Sequence, residues 1–136
     1  VNEMMKGFAI LLLLGAAAFA ADTPLDQCLA DPSNAKFRVF QTQNTWNFLK
    51  LDTKTGFVWQ VQWGEHQTVI PVSKETLLKS SESRAGRFTL CPTRNVFNFL
   101  LLDQDSGNMW SVQWSTDDKG RYVAPIFADP LEPGAK

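Results

Sequence analysis

From residue 37 onward, short runs of aromatic and β-branched residues alternate with clusters of Asp, Asn, Thr, Ser and Gly, the pattern of strands separated by tight turns. Residues 46–51 (WNFLKL) and 57–63 (FVWQVQW) flank Asp52-Thr53-Lys54-Thr55-Gly56. Asp52 can accept hydrogen bonds from N–H groups ahead of it, and Gly56 can take the positive φ that closes a type I turn with a bulge. The stretch predicts a β-hairpin. Setting Leu51 opposite Phe57 puts Asn47, Leu49, Leu51, Phe57, Trp59, Val61 and Trp63 on one face, the expected core side. The other face then carries Trp46, Phe48 and Lys50 with Val58, Gln60 and Gln62.

The hairpin recurs. A shift of 51 residues superimposes Phe37 on Phe88, Thr42 on Thr93, Asn44 on Asn95, Asn47-Phe48-Leu49 on Asn98-Phe99-Leu100, Gly56 on Gly107, Trp59 on Trp110, and Val61-Gln62-Trp63 on Val112-Gln113-Trp114. Each unit reads as a first strand (37–41; 88–91), an Asn-containing turn, the hairpin, and a short fourth strand (68–72; 122–127). The fold class expected is therefore all-β: two tandem antiparallel β-meanders with seven or eight strands, closing as one small barrel or stacking as a sandwich. In the register above, Trp59 and Trp110 should be the most buried tryptophans.

Upstream, Lys6 precedes the apolar run 8–14 and Ala18-Phe19-Ala20 offers a small-x-small cleavage pattern, so residues 1–21 read as a signal peptide. The run is too short for a permanent membrane span. A single β domain is expected over residues 22–128, with repeat one at 36–72, a linker at 73–86 and repeat two at 87–127; residues 129–136 read as a disordered tail. Thr23, Pro24 and Asp26 begin a short N-terminal helix that Pro32 stops. In the linker, Ser73 is placed to cap one helical turn. Cys28 and Cys91, the only cysteines, are expected to form one disulfide in an oxidising compartment. No Cys-x-x-Cys spacing points to a redox pair or metal thiolates.

The string Leu51-Asp52-Thr53-x-Thr55-Gly56-x-x-Trp59 resembles the hairpin of small exported bacterial β-repeat proteins of unknown function. More distantly, its Asp-x-x-Thr-Gly turn with a following Trp is similar to that of quinoprotein-type β-propeller blades. The match covers residues 37–63 and 88–114. Trp59 stands one residue early for the propeller pattern, and two units fall short of the four or more that a closed propeller needs. The resemblance implies an exported all-β domain and carries over no catalytic residue.

Composition narrows the chemistry further. With 13 basic and 14 acidic residues there is no field to draw nucleic acid, and no Lys/Arg cluster interleaved with aromatics to do so locally. After signal cleavage no membrane attachment is expected, and the mature protein belongs in the periplasm or outside the cell. His66 is the only histidine and falls in a turn without an equivalent in the second repeat. Asp103, Asp105 and Ser106 before Gly107 lack the glutamate that a calcium loop needs at its twelfth position. No motif asks for a cofactor or a metal.

The candidate ligand surface is the second hairpin face: Trp46, Phe48, Gln60 and Gln62, answered in the second repeat by Phe97, Phe99, Ser111 and Gln113. Rings beside amides suit a glycan or a peptide strand, unless the face is covered by the other meander or by the N-terminal helix. Two function classes stay open. The first is a non-catalytic binding or interaction module with a protein or glycan as ligand; the second is a small secreted enzyme or enzyme inhibitor. A carboxylate cluster around a pocket would favour the enzyme, and a flat aromatic patch would favour the binder.

Overall fold

The computed structural model describes residues 34–127, so the expected signal peptide, the expected N-terminal helix with Cys28 and the expected disordered tail 129–136 lie outside the described residues. Eight strands follow in chain order: β1 (Phe37–Gln41), β2 (Asn47–Asp52), β3 (Val58–Gln62), β4 (Thr68–Pro71), β5 (Phe88–Pro92), β6 (Asn98–Asp103), β7 (Met109–Gln113) and β8 (Tyr122–Ile126). They form two antiparallel meanders, β1-β2-β3-β4 (sheet 1) and β5-β6-β7-β8 (sheet 2). The two ladders are separate and do not close into one another.

Local chemistry explains why each turn forms twice. The Thr42 hydroxyl donates to the carbonyls of Asn47 (2.7 Å) and Asn44 (3.2 Å), and Asn44 Oδ1 accepts from Trp46 N (2.9 Å). Thr93 and Asn95 repeat the pattern, with Asn95 Oδ1 accepting from Phe97 N at 3.0 Å. In the hairpin turns, Asp52 Oδ1 accepts from Lys54 N at 2.9 Å and Asp103 Oδ1 accepts from Asp105 N at 3.0 Å. Gly56 and Gly107 take φ of 74° and 79°, as the turn chemistry requires.

The register within each hairpin differs from the expected one by a single residue. Asp52 N donates to Phe57 O (2.9 Å) and Gly56 N to Asp52 O (2.9 Å), so four residues, not five, make the turn, and Leu51 pairs with Val58. Asp103 and Asn108 make the same pairing in the second repeat, which sets Leu102 opposite Met109. Because side chains alternate with period two, that slip turns the whole of β3 over relative to β2. Val58, Gln60 and Gln62 join Asn47, Leu49 and Leu51 on the inner face; Phe57, Trp59, Val61 and Trp63 join Trp46, Phe48 and Lys50 on the outer face. Trp59 and Trp110 are only half-buried, and the most buried tryptophan is Trp114, at 1% exposure.

The core is one cluster drawn from both sheets: Leu49, Leu51 and Val58 from sheet 1, and Phe88, Leu90, Phe99, Leu101, Val112 and Trp114 from sheet 2, with Val72 at its edge. Each such side chain contributes roughly 1.5–3 kcal/mol relative to staying exposed. At the 51-residue shift, however, Leu49 and Leu51 match Leu100 and Leu102, while the residues that sheet 2 buries are Phe99 and Leu101. The two meanders therefore bury opposite faces: the inner face of sheet 1 packs on the face of sheet 2 that corresponds to the outer face of sheet 1.

The connection between the sheets is anchored to the first hairpin turn. Ser73 does not cap a helix; its hydroxyl accepts from Val58 N at 2.9 Å, and the one helical turn of the linker, a 3₁₀ turn, comes later at Ser80–Glu82. Leu77 and Leu78 pack against the core, and Leu77 N donates to Thr55 O (2.9 Å). Thr53, fully buried, is the tie point. Its hydroxyl donates to Ala35 O (2.7 Å) and accepts from Gly86 N (2.8 Å), and its carbonyl accepts from Phe88 N (2.9 Å).

Candidate functional site

The outer face of sheet 1 is apolar and open. Phe37, Val39, Trp46, Trp63 and Val69, all on this face, are among the most exposed large hydrophobic residues of the described chain. A shallow depression lined by Val39, Phe48, Val61 and Trp63 occupies its centre. At one end the Trp46 and Trp63 rings sit 5.0 Å apart, with the Trp63 indole N–H donating to Thr45 O at 2.9 Å. At the other end Phe57 and Trp59 lie 4.5 Å apart, and the Lys50 ammonium stands 4.3 Å above the Trp59 ring. Lys50 is the one charged side chain in the middle of this face, where the second repeat has Leu101.

The second repeat builds the same surface and covers it. Phe97 and Trp114 sit 5.0 Å apart at the same 49° tilt, and the Trp114 indole N–H donates to Val96 O at 2.9 Å. Sheet 1 lies over this copy, so Trp114 is 1% exposed where Trp63 is 47%.

A buried amide fastens the covered interface. Gln60, 2% exposed, donates from Nε2 to Asn47 Oδ1 (2.7 Å) and accepts at Oε1 from Ser115 N (3.2 Å) and Arg121 Nε (3.1 Å). Ser115 and Arg121 belong to the β7–β8 loop, which runs to eight residues (114–121) where the β3–β4 loop has five (63–67). Asp118 accepts from both terminal nitrogens of Arg121 at 2.9 and 3.0 Å and so orients it.

The residues singled out from the sequence do not share a surface. Trp46 and Phe48 lie on the outer face of sheet 1, but Gln60 and Gln62 are on its inner face. Phe99 is buried between the sheets and Phe97 stands at the rim, 44% exposed, while Gln113 lies on the far face of sheet 2 and donates to Gly120 O at 2.9 Å. Val39, Val61 and Trp63 complete the aromatic surface; pairing Leu51 with Phe57 sets Val61 and Trp63 in the core and so hides them from the sequence. The signal that finds them is the count of turn residues between Asp52 and Phe57.

The acidic turn of the second repeat is an ion-pair site. Arg87 donates to both oxygens of Asp103 at 2.8 Å, Ser106 Oγ donates to Asp103 Oδ2 at 2.7 Å, and Arg84 Nη2 meets Asp105 Oδ1 at 2.6 Å. The bidentate Arg87 contact, helped by the Ser106 hydroxyl and the turn N–H groups, holds the Asp103 carboxyl well below the usual carboxylate range. Both carboxylates of the faint calcium-loop pattern are thus taken by arginines. Among the described residues, no group of three or more His, Cys, Asp and Glu is gathered at metal-binding distance. His66 is exposed in the β3–β4 loop.

A second concavity, about 320 Å³, lies between the linker and β7–β8, lined by Leu77, Trp110, Tyr122, Val123 and Pro125 with Ser73, Lys74 and Glu75. Comparison with protein-family models, curated proteins and solved structures finds no match for this chain.

Proposed function

We propose that this chain is an exported, non-catalytic interaction module whose docking surface is the outer face of sheet 1, and that its ligand is a protein. The supporting observation is the contrast between Trp63 and Trp114: one local structure, built twice, is sealed by a packed sheet in the second repeat and left open in the first. An open apolar face of this kind on a small domain marks an interaction site. A glycan fits less well, because Gln60 and Gln62, the amides that would have read its hydroxyls, face the other way. The two sheets are read as a two-layer sandwich.

The enzyme reading would use the cleft beside Trp110, whose charged side chains are Lys74 and Glu75 of the exposed linker. That pair offers no carboxylate cluster, so the flat aromatic face is the stronger feature.

Export rests on the signal-peptide pattern of residues 1–21. The test is hydroxyl-radical footprinting of the tryptophans, in the exported fraction of producing cells and in dilute purified protein. Trp46 and Trp63 are expected to oxidise readily when purified and to be protected several-fold in the native compartment, with Trp114 protected in both. Equal reactivity of Trp63 in the two settings, or no protein in the exported fraction, would refute the reading.

A further inference from the structure

We infer that the partner on this surface is a second copy of the same chain, stacked head to tail: the outer face of sheet 1 of one copy packs on the outer face of sheet 2 of the next. The inference rests on the docking surface proposed above and names its occupant.

The template is the interface inside the chain. There, the inner face of sheet 1 packs on the face of sheet 2 that carries Leu90, Phe99, Val112 and Trp114. At the 51-residue shift those four positions are Val39, Phe48, Val61 and Trp63, the residues that line the open depression on sheet 1. The complementary surface recurs as well. Leu49, Leu51 and Val58 of the inner face of sheet 1 correspond to Leu100, Leu102 and Met109, which are half-buried and point away from the core on sheet 2. The chain thus ends on one side in a surface like the covered face of sheet 2, and on the other in a surface like its own inner face. These are the two halves of an interface it already makes once.

A contact between two different patches is heterologous, so each added copy leaves the same two patches free at the ends. Such stacking continues until it closes as a ring or extends as a filament. Pairing of two sheet 1 outer faces would instead give an isologous dimer and leave the outer face of sheet 2 open.

Two variants separate these cases. Val61→Arg sets a charge on the open face of sheet 1, and Ser111→Arg sets one at the centre of the outer face of sheet 2, at the position that matches the interface residue Gln60. Both sites are half-buried surface positions. By sedimentation velocity, the wild-type mass is expected to rise with concentration beyond that of a dimer, and each variant alone is expected to stay monomeric. Mixed in equal amounts, the variants are expected to form a one-to-one heterodimer, since each keeps the patch that the other lacks; that recovery also shows that both are folded.

Self-association that Val61→Arg abolishes and Ser111→Arg leaves untouched would overturn the proposal in favour of an isologous pair. A mixture that stays monomeric would overturn it too. A wild-type protein that is monomeric at every concentration, with Trp63 still protected in the native compartment, would refute self-stacking while leaving the docking surface to a different protein.

Discussion

A Cβ placed on Gly56 would stand 2.9 Å from Leu77 Cδ1 and 3.1 Å from Phe88 Cε1, whereas one placed on Gly107 would have no neighbour within 4 Å. The same turn, with nearly the same φ, is therefore buttressed by the linker in one repeat and free in the other. Alanine at either position must adopt a left-handed conformation, at about 1–2 kcal/mol. Gly56→Ala should be the worse by a further 1 kcal/mol or so, because the linker and the ring must also give way. Chemical unfolding of the two variants checks this, and equal midpoints would contradict it.

Trp114→Ala should destabilise by about 3–5 kcal/mol, the usual range for emptying a large aromatic site in a core. Trp63→Ala removes the same ring with the same hydrogen bond from an open surface and should cost less than about 2 kcal/mol in dilute solution. Urea unfolding at low protein concentration keeps association out of the comparison. A larger loss for Trp63→Ala would mean that the outer face of sheet 1 is covered within a single chain.

The repeat, the eight strands and the turn residues were all legible in the sequence, because Thr42, Asn44, Asp52 and Gly56 act on their own backbone neighbours and declare themselves locally. The faces were not. Whether four or five residues lie between paired positions depends on hydrogen bonds from Asp52 N and Gly56 N, and the flanking runs carry apolar residues at both parities, so alternation does not arbitrate. Nor could a 51-residue match reveal that the repeats bury opposite sides, since equivalent residues look alike whether covered or open. Only the packing of sheet on sheet separates Trp114 from Trp63.

The ion pair of Arg87 with Asp103 predicts an acid dependence of stability. The carboxyl of Asp103 is depressed in the folded state, so the unfolded chain binds a proton first as pH falls. Its contribution is complete above the ordinary carboxylate range and is lost as pH drops from roughly 5 toward the depressed folded value. Asp103→Asn keeps an acceptor for the turn and deletes the charge. The difference in unfolding midpoint between pH 7 and pH 3 should shrink in that variant, and an unchanged difference would remove Asp103 from the account. In the first repeat Lys36 holds the position of Arg87 and stands 5.0 Å over the Phe37 ring instead.

Cys91 is exposed on β5, opposite Leu100. A bond to Cys28 would close a loop that the chain-entropy model values at about 4 kcal/mol. Mature protein recovered from an oxidising compartment should have no titratable thiol, and reduction should lower its thermal midpoint. Two titratable thiols in that material would end the disulfide.

The loop that follows β7 brings Ser115 and Arg121 to Gln60, and the second repeat, which owns that loop, has Ser111 where the first keeps the glutamine. Each half therefore holds one part of a lock and key cut from a common pattern, and neither holds both. A chain with its halves in reverse order would set the serine against a loop that carries no key and leave the amide without its arginine. Two units alike in pattern thus make a sequence with a direction, and anyone who builds longer arrays from them must alternate the halves instead of multiplying one.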